Sequence, residues 1–313
     1  MGSDLGLAGS VALVRLLAGA EGMSMDFKEA CDALSVSGDA LEGAVLDINS
    51  IDPIILRRGD RLALSRDPDL LDAQEIFKGV HGRGRVEVLD VAGSTNTIML
   101  ANAANAVPGD VLMAEIQTAG RGRRGNRWHS GIGRGLALSL AWRFPDARDI
   151  SPLAVAAGAA VARVLDGMCP GIMVKWPNDL VLSGGKLAGI LIETEEGAFG
   201  TAAVIGIGAN VYEAPGQAGA FIASKPVRGL RNEVACAVID VLRGCCKSYA
   251  GEGLAPFMDE IARRDFLKGR SVEVDDGGRR ICGSAAGISS EGCLILEKDG
   301  RTQALRSGHV VSF

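Results

Sequence analysis

One segment constrains this chain more than any other: Gln117-Thr118-Ala119-Gly120-Arg121-Gly122-Arg123-Arg124-Gly125-Asn126-Arg127-Trp128. Its Gly120-x-Gly122-x-x-Gly125 spacing satisfies the dinucleotide fingerprint, which demands a strand before it and a helix after it. A strand pattern does precede it. The residues that follow, Asn126-Arg127-Trp128-His129-Ser130-Gly131-Ile132-Gly133, cannot open a helix well, and arginines at the interior positions would crowd a pyrophosphate cradled by backbone. The segment therefore reads as an arginine-lined loop. Arg121, Arg123, Arg124 and Arg127 place four permanent cations within seven residues of a protein whose formal net charge is −5. Guanidinium groups bind phosphate and carboxylate bidentately, and the glycines let the backbone close over such a ligand. The competing reading is a solvated basic loop.

Around this loop the pattern alternates strands and helices. Strands are expected at 85–91, 111–116, 136–142, 172–176, 187–193 and 202–208. A helix opens at Ser151-Pro152, with Ser151 as cap and Pro152 at its first position. A long helix is expected over 231–249. The fold class is α/β (α+β), a central domain with a mixed sheet, over residues 67–267. Residues 1–66 read as short helices at 11–19, 26–34 and 37–48, followed by two short strands about Gly59-Asp60. That is a winged helix-turn-helix pattern. Residues 268–313 carry short strands at 271–274, 280–285, 293–297 and 310–313. Asp276-Gly277 and Asp299-Gly300 serve as turns, the size of an SH3-like β-barrel.

Composition limits the compartment and the partners. Seven scattered cysteines without a C-x-x-C point to a reduced, cytoplasmic setting rather than a disulfide framework or zinc site. The most apolar stretches, 153–162 and 201–211, are too short to span a bilayer. No signal-peptide pattern opens the chain. Residues 1–66 hold six bases against ten acids, and the presumed recognition helix carries Asp39, Glu42 and Asp47 with no Lys or Arg. DNA affinity rests mainly on phosphate neutralisation, so this composition argues against DNA binding. Arg57 and Arg58 in the wing are the only plausible backbone contacts.

Two further elements carry candidate chemistry. Lys175-Trp176-Pro177-Asn178-Asp179 ends a strand at a Trp-Pro turn, because proline cannot continue a ladder. Asn178 and Asp179 would then lie on a loop able to hold a metal or a reacting amine. Gly184-Gly185-Lys186 opens the next strand with a lysine able to reach a phosphate; alone, Lys186 also suits a surface hairpin, and Asp179 an Asx turn. Ser94-Thr95-Asn96 offers two hydroxyls and an amide to a polar ligand, or caps for a helix over 96–106.

These pieces, in this order, resemble the biotin protein ligase family. The match runs over about residues 85–313 and includes Gly184–Leu191 and Ile205-Gly206-Ile207-Gly208-Ala209-Asn210. Residues 1–66 resemble the DNA-binding domain of long bacterial members that also repress transcription. The resemblance implies activation of biotin by ATP with Mg²⁺, then transfer to a lysine of the biotin carboxyl carrier protein of acetyl-CoA carboxylase. It also implies a homodimer. By the same resemblance Ser94, Thr95, Asn96, Gln117 and Gly120 hold the biotin ureido group and tail. Arg121, Gly122 and Arg123 hold carboxylate and phosphate, and Lys186 contacts both. Gly189, Leu191, Gly206 and Ala209 line the apolar pocket. Asn178, Asn210 and Trp128 would contact the nucleotide, Trp128 being equally readable as a core residue. Asp179 would orient the attacking amine, and a loop at about 212–225 would help cover the adenylate. A bifunctional ligase and repressor is the alternative. A lipoate ligase is the less favoured one, because such relatives carry a different loop.

Overall fold

The computed structural model describes residues 5–103, 105–144, 149–197, 200–213 and 219–313. The chain opens with α1 (Gly6–Gly19), β1 (Ser24–Asp26), α2 (Phe27–Leu34), α3 (Gly38–Ile51), β2 (Ile55–Arg58) and β3 (Arg61–Leu64). Local chemistry sets the helix starts. The Asp26 carboxylate accepts from the amides of Lys28 and Glu29, and Ser37 Oγ accepts from that of Ala40. Val11, Leu13, Leu17, Leu41, Ile48 and Leu62 close one apolar cluster beneath the small sheet, ordered β1-β3-β2. Strand β1, three residues long, is too short to show an alternation in the sequence.

After α4 (Ala73–Gly79) comes the main sheet: β4 (Val86–Ala92), β5 (Val111–Gln117), β6 (Gly135–Phe144), β7 (Met173–Lys175), β8 (Asp179–Leu182), β9 (Gly185–Gly197) and β10 (Gly200–Asn210). Its order is β4-β5-β6-β10-β9-β8-β7. Only β4 and β5 are parallel, linked by α5 (Thr95–Ala101); the other pairs are antiparallel, so the sheet is mixed. Three expectations shift here. Asp179 does not sit on a loop but begins β8, opposite both Lys175 and Gly189. Helix α5 starts at Thr95 and ends at Ala101, with Ser94 as its cap. Helix α6 (Leu153–Leu165) starts one residue late: Pro152 is its cap position, and the Ser151 amide donates to Asp149 instead.

The two faces of the sheet differ in kind. Leu136, Leu138, Leu140, Ala188, Ile190, Ile205, Ile207 and Ala209 point into the core formed with α6 and α7 (Leu230–Glu252). Period-two alternation sends their neighbours to the other face. There, Ala137, Gly208 and Gly189 stand in register across three strands, with Ser139, Gly206 and Leu191 beside them. The sheet is therefore greasy on its helical side and almost without side chains over part of the opposite side.

A buried polar hub ties these layers together. Arg231 at the start of α7 and Glu115 of β5 form an ion pair at 2.9 Å with both side chains almost wholly buried. Arg231 Nε also donates to the Gly135 carbonyl, and the Glu115 carboxylate accepts from the Leu71 amide. The buried Asp69 carboxylate accepts from the Tyr212 hydroxyl and from the amides of Gly229 and Arg231. Arg15 of α1 bonds to Asp90 and reaches Glu115 at 3.8 Å.

Beyond α8 (Met258–Arg264), a five-stranded antiparallel sheet closes the chain: β11 (Ser271–Asp276), β12 (Arg279–Ile288), β13 (Leu294–Lys298), β14 (Arg301–Leu305) and β15 (His309–Ser312), ordered β14-β13-β12-β11-β15. Asp299 and Gly300 both take positive φ, as a two-residue hairpin turn requires. The β11–β12 turn falls one residue later than expected, on Gly277-Gly278. The buried Trp176 indole N–H donates to the Gly292 carbonyl at 3.0 Å and locks this sheet to the main one.

Candidate active site

A cavity of about 190 Å³ lies over the side-chain-poor patch. Its floor and roof work because three positions, Gly206 and Gly208 in the floor and Gly120 in the roof, cannot carry a side chain. A Cβ on Gly206 would stand 2.3 Å from Asn96 Oδ1, one on Gly208 2.4 Å from the Trp128 ring, and one on Gly120 2.4 Å from the Trp128 carbonyl. The arginine loop forms the roof. Its Gly122 amide donates to the Asn126 carbonyl and its Trp128 amide to the Gly120 carbonyl. A short 3-10 turn at Arg123–Gly125 replaces any helix, with Arg124 and Gly125 at positive φ. The geometry is that of a hairpin folded back on itself, not a dinucleotide turn.

One end of the cavity is a neutral hydrogen-bonding corner. The Gln117 amide oxygen accepts from the Thr95 amide at 2.8 Å and lies 3.1 Å from the Thr95 hydroxyl. Ser139 Oγ donates to Asn96 Oδ1 at 2.6 Å. Asn96 Nδ2 in turn donates to Glu193 at 2.9 Å. The other end is charged. Arg121 pairs with Glu193 at 2.9 Å and bonds to Thr97. Lys186 pairs with Asp179 at 2.8 Å, and Arg123 Nη1 reaches Asn178 Oδ1 at 3.4 Å. Burial pushes the Arg123 guanidinium below its ordinary pKa, partly offset by Asp179. Burial does the same to the Lys175 ammonium, again against Asp179. The half-buried Arg123 and Lys175 and the more exposed Arg121 and Lys186 thus converge on one space that holds few carboxylates.

Ser94, Thr95, Asn96, Gln117, Arg121, Gly122, Arg123, Trp128, Asn178, Asp179, Lys186, Gly189, Leu191 and Gly206 all line this cavity. Gly120 shapes the roof just behind them. Two expected residues are not brought in. Ala209 points through the sheet into the helical core, because it is out of phase with Gly206 and Gly208. Asn210 is buried beside the cavity, where its Nδ2 donates to the Lys186 carbonyl. Of the expected covering loop, residues 214–218 lie outside the described residues; its later part returns with the Ala220 amide on that same Lys186 carbonyl. Trp128 is a wall rather than a core residue: half-buried, its ring against Gly208, its Nε1 buried with no acceptor among the described residues.

The sequence reading missed Gly208, Ser139, Glu193 and Lys175. The Gly-x-Gly alternation in Ile205-Gly206-Ile207-Gly208 was the available signal for the first: period two puts Gly206 and Gly208 on one face and Ala209 on the other. Nothing local marks Ser139 or Glu193, whose partners lie more than 40 residues away.

Fold and site together present a cationic cavity on a glycine-thinned sheet beneath a basic loop. Residues 88–210 match the Biotin/lipoate A/B protein ligase family. Among curated proteins, the "Bifunctional ligase/repressor BirA" of Escherichia coli is 35% identical over 262 residues, covering 80% of this chain and 81% of the relative. The "Biotin--[acetyl-CoA-carboxylase] ligase" of Mycobacterium tuberculosis is 35% identical over 268 residues, covering 80% and 97%. The biotin protein ligase from Aquifex aeolicus, solved in complex with biotin and ATP, superposes with a TM-score of 0.62 at 25% identity, covering 71% of this chain and 96% of that one. The chain belongs to the biotin protein ligase family. Among the described residues, no helix is long and apolar enough to cross a membrane.

Proposed function

We propose that this chain is an ATP-dependent biotin protein ligase: it activates biotin as biotinyl-5′-adenylate and passes it to a lysine of a biotin carboxyl carrier protein, that of acetyl-CoA carboxylase. The observation that carries this reading is the convergence of Arg121, Arg123 and Lys186 above the Gly189–Gly206–Gly208 floor. Activation brings one anion onto another. A biotin carboxylate oxygen attacks the α-phosphorus, and the bond to the bridging oxygen breaks as pyrophosphate leaves. Fixed cations aimed at the charge that develops stabilise that transition state. Arg121 and Arg123 hold carboxylate and phosphate, and Lys186 spans both. The Ser94, Thr95, Asn96 and Gln117 corner offers donors and acceptors to the ureido group, and the thin floor and Leu191 accommodate its apolar rings. The indole N–H of Trp128 is buried against the Gly208 floor with no acceptor among the described residues, so an acceptor brought by a ligand would satisfy it. In the transfer step the lysine amine attacks the anhydride carbonyl, the carbon–oxygen bond to phosphate breaks, and AMP leaves. Asp179 orients the amine and takes the proton its nitrogen sheds.

Mg²⁺ fits this site only in company with its nucleotide. The described residues contain no cluster of three acidic, His or Cys side chains able to hold a metal. The cavity wall does offer the Asp179 carboxylate and the Asn178 amide oxygen, the oxygen donors Mg²⁺ takes beside phosphate. When bound, it would neutralise phosphate charge.

We read residues 1–66 as a winged helix-turn-helix domain, 67–267 as the catalytic domain and 268–313 as an SH3-like β-barrel, with the chain acting in the cytoplasm as a homodimer. The exposed face of α3 carries Asp39, Glu42, Leu46 and Asp47, and Glu42 already pairs with Arg57 of the wing. Such a face repels phosphate, so the repressor alternative is disfavoured. No saturable, sequence-dependent gel shift is expected with upstream DNA, biotin and ATP at low salt; one would restore that reading.

The central test is direct. Protein, ATP, Mg²⁺, biotin and a carrier domain should give a carrier heavier by one biotinyl group. No mass gain, or an equal gain with lipoate, overturns the assignment. Two variants probe the parts. Arg123→Gly should let the adenylate escape and label lysines on bystander proteins; carrier-only labelling by that variant would refute the enclosing role of Arg123. Gly208→Ala should push Trp128 off the wall and raise the KM for ATP about tenfold or more, since a stacked aromatic contact is worth roughly 1–3 kcal/mol. An unchanged KM would remove Trp128 from the nucleotide site.

A further inference from the structure

A second cavity, of about 410 Å³, backs onto the first and shares Arg123, Trp176, Pro177, Asn178, Ile190 and Leu191 with it as a common wall. Part of that wall is the 3.4 Å contact between Arg123 and Asn178, made by side chains rather than backbone. The ligase reading above uses only the first cavity. A ligand lying there, with its reacting carbonyl held by Arg123, would close that cavity from its own side. A nucleophile would then have to arrive from elsewhere.

The second cavity has the chemistry of a channel for a long aliphatic amine. Pro152, Ala154, Val155 and Ile192 give it apolar lining beside the polar Arg123 and Asn178 of the shared wall. Its mouth is polar and carries two carboxylates, Asp149 and Glu291, with one cation, Arg306, bonded to Asp149 at 3.2 Å. Hydrogen bonds from Ser151 hold Asp149 below the usual carboxylate range, and those from Ser290 and Ser289 do the same for Glu291, so both are charged at neutral pH. An ammonium head is drawn to such a mouth, and a four-methylene stem fits the apolar walls behind it.

We propose that this second cavity is the entry channel for the carrier lysine, which reaches the anhydride through the Arg123–Asn178 partition while the first cavity stays closed over the adenylate. The inference rests on the ligase reading and adds the route and the docking face: the mouth formed by the segment at 149–152, the end of β9 and the β12–β13 and β14–β15 connections of the C-terminal sheet. The step balances as written above. The ammonium gives one proton to solvent at the mouth, the amine forms the amide bond as the bond to phosphate breaks, and the second proton goes to Asp179.

Ser151 and Thr194 are exposed at the rim and take no part in the adenylate site. In the full chain, Ser151→Trp and Thr194→Trp should leave biotin-dependent pyrophosphate release and capture of the adenylate by hydroxylamine within about twofold of the unsubstituted chain. Biotinyl transfer to the carrier domain should fall by about a hundredfold, as expected when a reacting group is kept from its position. Glu291→Gln, which removes the charge without adding bulk, should raise the KM for the carrier and leave kcat unchanged. Normal carrier transfer by both tryptophan variants overturns the channel. So does an equal loss of all three activities, which would make this space part of the adenylate site. Absence of pyrophosphate release from the unsubstituted chain overturns the ligase reading itself, and the channel with it.

Discussion

Lys186→Ala is expected to slow biotinyl-adenylate formation by about 10²–10³-fold, the usual loss when one preorganised charge stabiliser is removed. The position explains the size. Lys186 Nζ is 2.8 Å from Asp179 and 6.0 Å from the centre of the Trp128 ring, between the candidate carboxylate and nucleotide ends of the cavity. Its backbone is fixed independently, because its carbonyl accepts from both Ala220 N and Asn210 Nδ2. The side chain can therefore be removed without moving the strand. Its ion pair is half-exposed, and such pairs contribute about 0–1 kcal/mol, so the melting temperature should move by about 4 °C at most. Single-turnover pyrophosphate release with a thermal melt separates the two effects. A full rate of activation in this variant would take Lys186 out of the chemistry.

Arg231→Met should instead strike stability. The guanidinium is wholly buried, pairs with the equally buried Glu115 and donates to the carbonyls of Gly135 and Asp69. Breaking one side of a buried ion pair typically costs about 3–5 kcal/mol, because the remaining charge stays buried and alone. A fall in melting temperature of roughly 6–20 °C follows. Replacing both partners, Arg231→Met with Glu115→Leu, should recover much of that loss, since two apolar groups leave no orphaned charge. A single variant as stable as the double would show that Glu115 finds another partner, with Arg15 the nearest cation.

The same hub shows where reading the sequence fails. In the sequence Arg231 is the first residue of an expected helix and Glu115 lies inside an expected strand. Neither carries a local sign of the other, 116 positions away. Glu193 and Ser139 are missed for the same reason, and β8 because four residues behind a proline do not announce a strand. Ala209 is a different kind of error. The phase of β10 is readable in its glycines, and it puts Ala209 on the face opposite Gly206 and Gly208.

What the sequence determined by itself was the chemistry. Four arginines among glycines without a following helix, and a lysine behind two glycines, supply the fixed cations of the proposed anion site. The acid-rich α3 likewise disfavours phosphate in any arrangement, because charge composition does not depend on packing. What only the tertiary structure decided was convergence. The loop, the Asn178–Asp179 strand start and the glycine floor come from segments tens of residues apart, and strand register alone brings them to one cavity. That register also opened a second cavity behind Arg123, a feature no linear pattern can encode, because its walls come from the main sheet, α6 and the C-terminal sheet at once.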